Sequence, residues 1–209
     1  MELTKYTHSC VVVGDGPRRL LIDPGIWTEP AAWEGVAEVL ITHEHVDHLD
    51  VEALVSAATA DSAFAVFGPR SVVDLLAAAG AACVAVGAGQ HFSAGGFAVE
   101  AVGGAHAEIY DGLPDTANLG YLVAGEIYHP GDALHVPAQP VRTLLVPTCA
   151  PWLKLAEAVD FVRAVDPVRA YSIHDAMLSE VGLAVTDRWM SLKAGADYTR
   201  IPVGDSVVV

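Results

Sequence analysis

Positive charge is scarce in this chain. Its 209 residues hold 11 Lys and Arg against 26 Asp and Glu, for a formal net charge of −15, and the 11 form no cluster. Nucleic-acid binding depends on neutralising phosphates with Lys and Arg, so no nucleic-acid partner is expected and a nuclease with this surface would repel its substrate. Long apolar runs are missing as well. Hydrophobic residues make up 53% of the chain, yet no uninterrupted stretch approaches the roughly 18 residues of a membrane-spanning helix, so no membrane association is expected. The segment Met1 to His8 has neither a basic start nor an apolar h-region; it does not read as a signal peptide, and a cytoplasmic location is expected. Cysteine is sparse: Cys10, Cys83 and Cys149 lie far apart with no CxxC pair, which suggests reduced thiols rather than a disulfide framework. Cys10 and Cys83, both beside valines, are expected as small buried core residues. No low-complexity linker divides the chain, so residues 1–209 are expected to form one domain.

What is present reads as α/β. Short strands are expected at Leu3–His8, Cys10–Val13 and Arg19–Ile22, the last two parted by the turn sequence Gly14-Asp15-Gly16-Pro17. Further strands are read at Val39–Thr42, Ala63–Phe67, Ala82–Val86, Leu144–Val146, Ala170–Ile173 and Ser206–Val209. Hairpins are expected around Gly95-Gly96 and between Leu119–Val123 and Ile127–His129. Asp50 is a good N-cap for a helix to about Ala60 that carries Val51, Leu54 and Val55 inward. A second helix spans Ser71–Ala79, with Ser71 as cap and Gly80 as stop. Leu155, Val159 and Val162 recur at helical spacing up to Asp166-Pro167, and a last helix sets Val181, Val185, Trp189 and Leu192 on one stripe.

The densest chemistry is Ile41-Thr42-His43-Glu44-His45-Val46-Asp47-His48, with three histidines and an aspartate in six positions after an apolar run. Histidine and carboxylate are the usual nitrogen and oxygen ligands of zinc, iron and manganese, and crowding them in a fold is costly without a cation to share. The bland alternative is chance clustering on a solvated loop, in a chain that has nine His. A regularity further along argues against it. His106, Asp132 and His174, like His43 and Asp23, each follow a strand-like run, and strand ends at one rim of a sheet are where open α/β folds place their sites.

Together, Asp23, His43-x-His45-x-Asp47-His48, His106, Asp132 and His174 resemble the five signature segments of the metallo-β-lactamase superfamily, in order and across essentially the whole chain. The resemblance implies a four-layer αβ/βα sandwich with two mixed sheets face to face and helices outside. It implies that His43, His45 and His106 hold one metal, that Asp47, His48 and His174 hold a second, and that Asp132 bridges them. Two divalent ions are implied, Zn2+ foremost, with Mn2+ or Fe2+ as alternatives. Asp23 would support the site from behind a ligating histidine. The implied activity is hydrolysis of a small-molecule lactone, ester, thioester or phosphoester by a hydroxide bound between the metals, with Asp132 and Asp47 as the catalytic carboxylates and Asp47 carrying a proton to the leaving group. The alternatives are an iron-dependent oxidoreductase on the same fold and a non-catalytic, metal-stabilised binding protein.

Within the superfamily the chain lacks the added helical, flavodoxin or basic domains of several branches. It is similar to the small branch of L-ascorbate-6-phosphate lactonase-like proteins through His8-Ser9-Cys10, Tyr128-His129-Pro130-Gly131-Asp132 and Ile173-His174-Asp175. Ala133 departs from the Ser or Thr that often follows the Gly-Asp pair, and no Lys/Arg cluster offers itself to a sugar phosphate. Around the core set, His8 is read equally as a rim or a strand-end histidine, His91 as a surface residue and His129 as structural. His135, Cys149, Trp152 and Lys154 are candidate substrate contacts, with Trp152 expected rather to pack beneath the following helix. Glu108, Tyr110 and Asp111 are candidate pocket or plain loop residues.

Overall fold

Alternation along the strands builds the protein outward from its centre. In β2 (Val11–Asp15) and β3 (Arg18–Ile22), Val11, Val13, Leu20 and Ile22 enter one core while Val12 and Leu21 enter another. Successive side chains of a strand point to opposite faces, so a sheet whose strands are apolar on both faces must be covered on both. The computed structural model describes residues 1–209 and satisfies this demand with two seven-stranded sheets packed face to face and a helix pair outside each.

The first sheet joins β2 and β3 to β1 (Glu2–Lys5), β4 (Glu38–Leu40), β5 (Ala65–Gly68), β6 (Val84–Ala85) and β14 (Ser206–Val208), in the order β14-β1-β2-β3-β4-β5-β6. The second comprises β7 (His91–Ala94), β8 (Phe97–Gly103), β9 (Leu119–Val123), β10 (Ile127–His129), β11 (Thr143–Pro147), β12 (Arg169–Ile173) and β13 (Asp197–Thr199), in the order β13-β12-β11-β10-β9-β8-β7. Both are mixed: β3, β4, β5 and β6 run parallel, as do β10 through β13, while the hairpins are antiparallel. Leu40, Phe97, Val99, Tyr121, Leu145 and Ile173 fill the space between the sheets. Helices α1 (Val51–Ala60) and α2 (Arg70–Ala78) cover the first sheet through Leu54, Val72 and Leu76. Helices α3 (Leu155–Val165) and α4 (Glu180–Lys193) cover the second through Phe161, Val162 and Met190. This is the four-layer αβ/βα sandwich that the resemblance implies. No helix is long and apolar enough to cross a membrane.

Several local expectations are corrected. The first strand stops at Lys5 rather than His8, because His8 takes a left-handed backbone with φ 64°. Strand β4 ends at Leu40, short of Thr42, and β5 starts at Ala65 rather than Ala63. Ser71 does not cap α2; the helix begins at Arg70 behind Pro69, with no side-chain cap. Cys10 is buried as expected, but Cys83 is only half-buried. The stripe of Val181, Val185, Trp189 and Leu192 faces solvent, and α4 instead buries Thr186 and Met190. Trp189 lines a surface pocket with Leu155 and Val159 along the α3–α4 seam.

The topology gathers the candidate residues. Strands β8, β10 and β12 point the same way, so their C-terminal ends share one rim with those of β3 and β4 across the sandwich. Two bonds stitch the sheets there: the Tyr121 hydroxyl donates to the Ile41 carbonyl at 2.7 Å, and Leu119 N–H donates to the Thr42 carbonyl at 2.9 Å.

Candidate metal centre

The rim is assembled by tight backbone. Asp23 follows β3 at φ 51° and His174 follows β12 at φ 55°, both in the left-handed region that non-glycine residues seldom adopt. Gly131 turns the chain after β10 at φ 60°, where a Cβ would come within 2.3 Å of Asn118 Oδ1 and 2.7 Å of Thr42 Cβ. A Cβ on Gly25 would fall 2.1 Å from the Asp47 carbonyl, so only glycine lets the Asp23-Pro24-Gly25 turn lie against the histidine loop.

The histidines converge with their outward nitrogens already bonded. His43 Nδ1 donates to Thr42 Oγ1 at 2.9 Å, His48 Nδ1 to Asp23 Oδ2 at 2.7 Å and His106 Nδ1 to the Ala107 carbonyl at 2.6 Å. His174 Nδ1 donates to the Cys149 carbonyl. These partners engage Nδ1 in each ring and leave the four Nε2 atoms facing inward. His45 presents Nδ1 instead, 3.1 Å from His43 Nε2. The Nε2 atoms of His48, His106 and His174 lie 3.1, 3.4 and 3.0 Å from Asp132, yet all three, with Asp132 Oδ1, are buried without an aligned hydrogen-bond partner. Buried polar atoms at close range without hydrogen bonds are costly unless a further group completes them. A divalent cation is the group these donors fit: imidazoles with one nitrogen fixed from behind and carboxylates with oxygens to spare. Three sets of such atoms lie within ligating reach of each other: His43, His45 and His106; His43, His48 and Asp132; and His8, Asp47, His48 and His174.

Asp23 is fully buried and accepts from Thr42 N, Thr42 Oγ1 and His48 Nδ1, each at 2.7 Å, which matches its expected supporting place. The carboxylates set the electrostatics. Burial opposes a charge on His48 and His174, but Asp132 prevails in both, with Asp23 aiding at His48 and Asp47 at His174; His48 is raised well above the ordinary range and His174 to about 9. Burial would also raise the Asp47 carboxyl, but the His174 imidazole at 3.5 Å, the hydrogen bond from His8 and the charge of His48 hold it far below the usual carboxylate range. His43, buried among other imidazoles, is pushed well down.

The structure brings all eight expected residues to this rim, together with the candidates His8 and Trp152, and adds Thr42 and Asn118. His8 is buried, its Nε2 3.1 Å from Asp47 Oδ2 and its ring 3.9 Å from that of His174. Its Nδ1 accepts from Ala176 N–H at 3.3 Å, so Nε2 carries the proton and donates to Asp47. Burial keeps this imidazole below its usual pKa, hence neutral. Thr42 links Asp23 to His43, and Asn118, also fully buried, receives Asp132 N–H at 2.9 Å and donates to the Pro130 carbonyl at 2.8 Å. Instead of packing beneath α3, where Leu153 packs, the Trp152 indole donates to Asp132 Oδ2 at 3.1 Å and stands edge-on to His106 and His174.

The other candidates scatter. Cys149 serves through its carbonyl, and Lys154 precedes α3 with its side chain in solvent, 3.9 Å from Glu157. His135 is exposed and offers its carbonyl to Tyr128, His91 is exposed on β7, and His129 is a buried brace between Ser9 and Gly131. Glu108 accepts from Gly112 within its own loop.

Comparison with known proteins identifies the family. A family model described as beta-lactamase superfamily domain matches residues 2–174. Protein Rv0786c of Mycobacterium tuberculosis is 39% identical over 188 residues, 86% of each chain. A UPF0173 metal-dependent hydrolase of Mesorhizobium japonicum is 43% identical over a shorter 56 residues, 23% of this chain and 24% of its own. Among solved structures, Igni18, a metallo hydrolase from Ignicoccus hospitalis, superposes with a TM-score of 0.77 at 17% identity, covering 99% of this chain and 97% of its own. With that match over most of its length and the ligand-ready rim of the metallo-β-lactamase fold, the chain belongs to the beta-lactamase superfamily.

Proposed function

We propose that this metal-dependent hydrolase holds two divalent ions and cleaves a lactone, ester, thioester or phosphoester bond of a small molecule. The observation that carries the reading is the set of inward Nε2 atoms, each with its Nδ1 already bonded, around an Asp132 whose Oδ1 has no partner. His43, His45 and His106 form one set of ligands, Asp47, His48 and His174 the other, and Asp132 lies between them. Five imidazoles and two carboxylates suit zinc best, with manganese or iron as substitutes. A bound metal pair supplies a hydroxide near neutral pH and polarises the electrophile.

The chain's own residues do the rest. Asp23 and Thr42 fix the tautomers of His48 and His43. Trp152 holds Asp132 and walls one side of the centre from water. Asp47 Oδ2, 3.1 Å from His8 Nε2 and 3.5 Å from His174 Nε2, is the carboxylate placed to carry a proton to the leaving group. Three free thiols fit a reducing, cytoplasmic setting.

Elemental analysis is expected to find two metal equivalents per chain. Chelation should abolish ester or lactone hydrolysis, lower the thermal midpoint by roughly 10 °C, and be reversed by Zn2+. Hydrolysis that survives complete chelation excludes the reading, and oxygen consumption that requires iron replaces it with redox chemistry.

His8 gives a finer check. His8→Phe fills the space but leaves Asp47 without its donor, so metal affinity in a competition titration should fall about 10- to 100-fold. His8→Gln, which can donate from its amide, should recover most of the loss. Equal losses in both would mean that the ring's bulk, not its N–H, is what Asp47 needs.

A further inference from the structure

The loops around this rim carry apolar side chains and almost no cation. Trp27, Val46, Ile109, Tyr110, Leu113 and Met177 all project into solvent, Tyr110 at 80% and Leu113 at 63% exposure. Single exposed apolar residues need no explanation, but a group on the loops of one site does. Their backbones are tied to the centre. Ile26 N–H donates to the Val46 carbonyl at 3.0 Å, and Trp27 stands edge-on to His8 at 5.2 Å. Ala107 N–H donates to the Asp132 main-chain carbonyl at 2.8 Å, so the 107–113 segment departs beside the Asp132 backbone. Ala176 N–H, one residue before Met177, bonds to His8.

Charge points the same way. Of the 11 Lys and Arg, Lys154 alone belongs to these loops, and it turns to Glu157 with its side chain 85% exposed. Lys5 is buried against Asp175, and Arg200, which lines a pocket beside His8 and Ala176, is engaged by Asp175 and Asp187. The loops contribute Glu44, Glu108, Asp111 and Asp115 instead. A phosphate or carboxylate on a substrate, away from the bond being cleaved, would find carboxylates and no cation that is not already paired with them.

We propose that the substrate is a neutral, hydrophobic ester or lactone whose apolar arm lies along the collar of Trp27, Tyr110 and Leu113. The proposal rests on the hydrolase reading above and adds the substrate class. In the reaction water adds across the acyl–oxygen bond. The acyl carbon gains the water oxygen, the alkoxide takes one proton from it, and the acid product ionises by releasing the other. That anionic product meets the acidic loops, which favours its departure.

The test uses the zinc-loaded protein and n-alkyl hydroxamates of two to ten carbons, read by calorimetry. The two-carbon probe reports the metals; the increment with chain length reports the collar. Affinity is expected to rise about fourfold per added methylene, to fall at least tenfold when the chain ends in a carboxylate, and to lose its length dependence in the Tyr110→Ser, Leu113→Ser double variant. A flat series, or tighter binding of the carboxylate-ended probe, overturns the proposal. Failure of the two-carbon probe itself faults the metal reading instead. In that case the quenching of Trp27 emission by n-alkyl alcohols, lost in Trp27→Phe, reads the collar alone, and quenching independent of length overturns it.

Discussion

Asp132→Asn is expected to reduce bound metal from two equivalents to at most one and to lower kcat/KM by at least about a thousandfold, on the order of 4 kcal/mol in the transition state. Asp132 is buried, with Oδ1 3.1 Å from His48 Nε2 and Oδ2 3.4 Å from His106 and 3.0 Å from His174. It therefore stands between the two histidine sets and is the carboxylate whose charge both would share. Burial pushes its carboxyl up, yet the charge of His48 and the close imidazoles of His106 and His174 hold it well below the usual range. Asparagine preserves the shape and leaves the backbone bond to Asn118 untouched, but it removes the charge and offers one oxygen in place of two. Elemental analysis and steady-state kinetics on the same sample decide the matter. A variant that keeps two metals and a rate within tenfold of the parent cannot have lost a bridge.

The order of strands and helices was legible from apolar runs and turn residues, but the four-layer sandwich was implied by the resemblance and not by that order. The structure gives its physical reason: Val11 and Val13 enter one core and Val12 the other, so the sheet must be covered on both faces. Strands β9 and β10 fall where their turn residues put them, Leu119–Val123 and Ile127–His129. Helical periodicity was less informative. It identified α4 and its apolar stripe but not the direction the stripe would face; Met190, one residue along from Trp189, is the side chain the second sheet takes in. Strand β13 was invisible because Asp197-Tyr198-Thr199 buries only its tyrosine and owes its existence to pairing with β12.

The site divides in the same manner. The histidines and aspartates announce themselves by type and spacing, since few other roles would crowd them so. Their supports do not. Asn118 precedes β9 and supports a turn after β10, a relation set by how those strands pair. His8 reaches Asp47 because its backbone is left-handed and because β12 delivers His174 beside it, its N–H bonded to the His8 carbonyl at 3.1 Å. Trp152 could be expected to pack under a helix because an indole is mostly apolar; its single N–H, which finds Asp132, decides otherwise.

Asp23→Ala is expected to be the most destabilising single change in the protein, at about 3–5 kcal/mol. Three mechanisms act at one position. Thr42 N–H, Thr42 Oγ1 and His48 Nδ1 lose their acceptor in a place with no exposure to water, and each buried donor left unpaired costs about 1–3 kcal/mol. The left-handed backbone at φ 51° suits Asp and Asn far better than Ala, which adds roughly 1 kcal/mol of strain. The charge that draws His48 toward its protonated form is weakened as well. Asp23→Asn keeps the backbone preference and one acceptor, so its cost should be clearly smaller. Urea denaturation of the metal-free proteins separates folding from metal binding. There the alanine variant should lose several kcal/mol, with a thermal midpoint about 10 °C lower, and the asparagine variant less than half of that. If both variants unfold at the parent's urea midpoint, Asp23 is not what holds Thr42 and His48 in place; if they fall equally, the backbone contribution is wrong and the acceptor charge accounts for the whole effect.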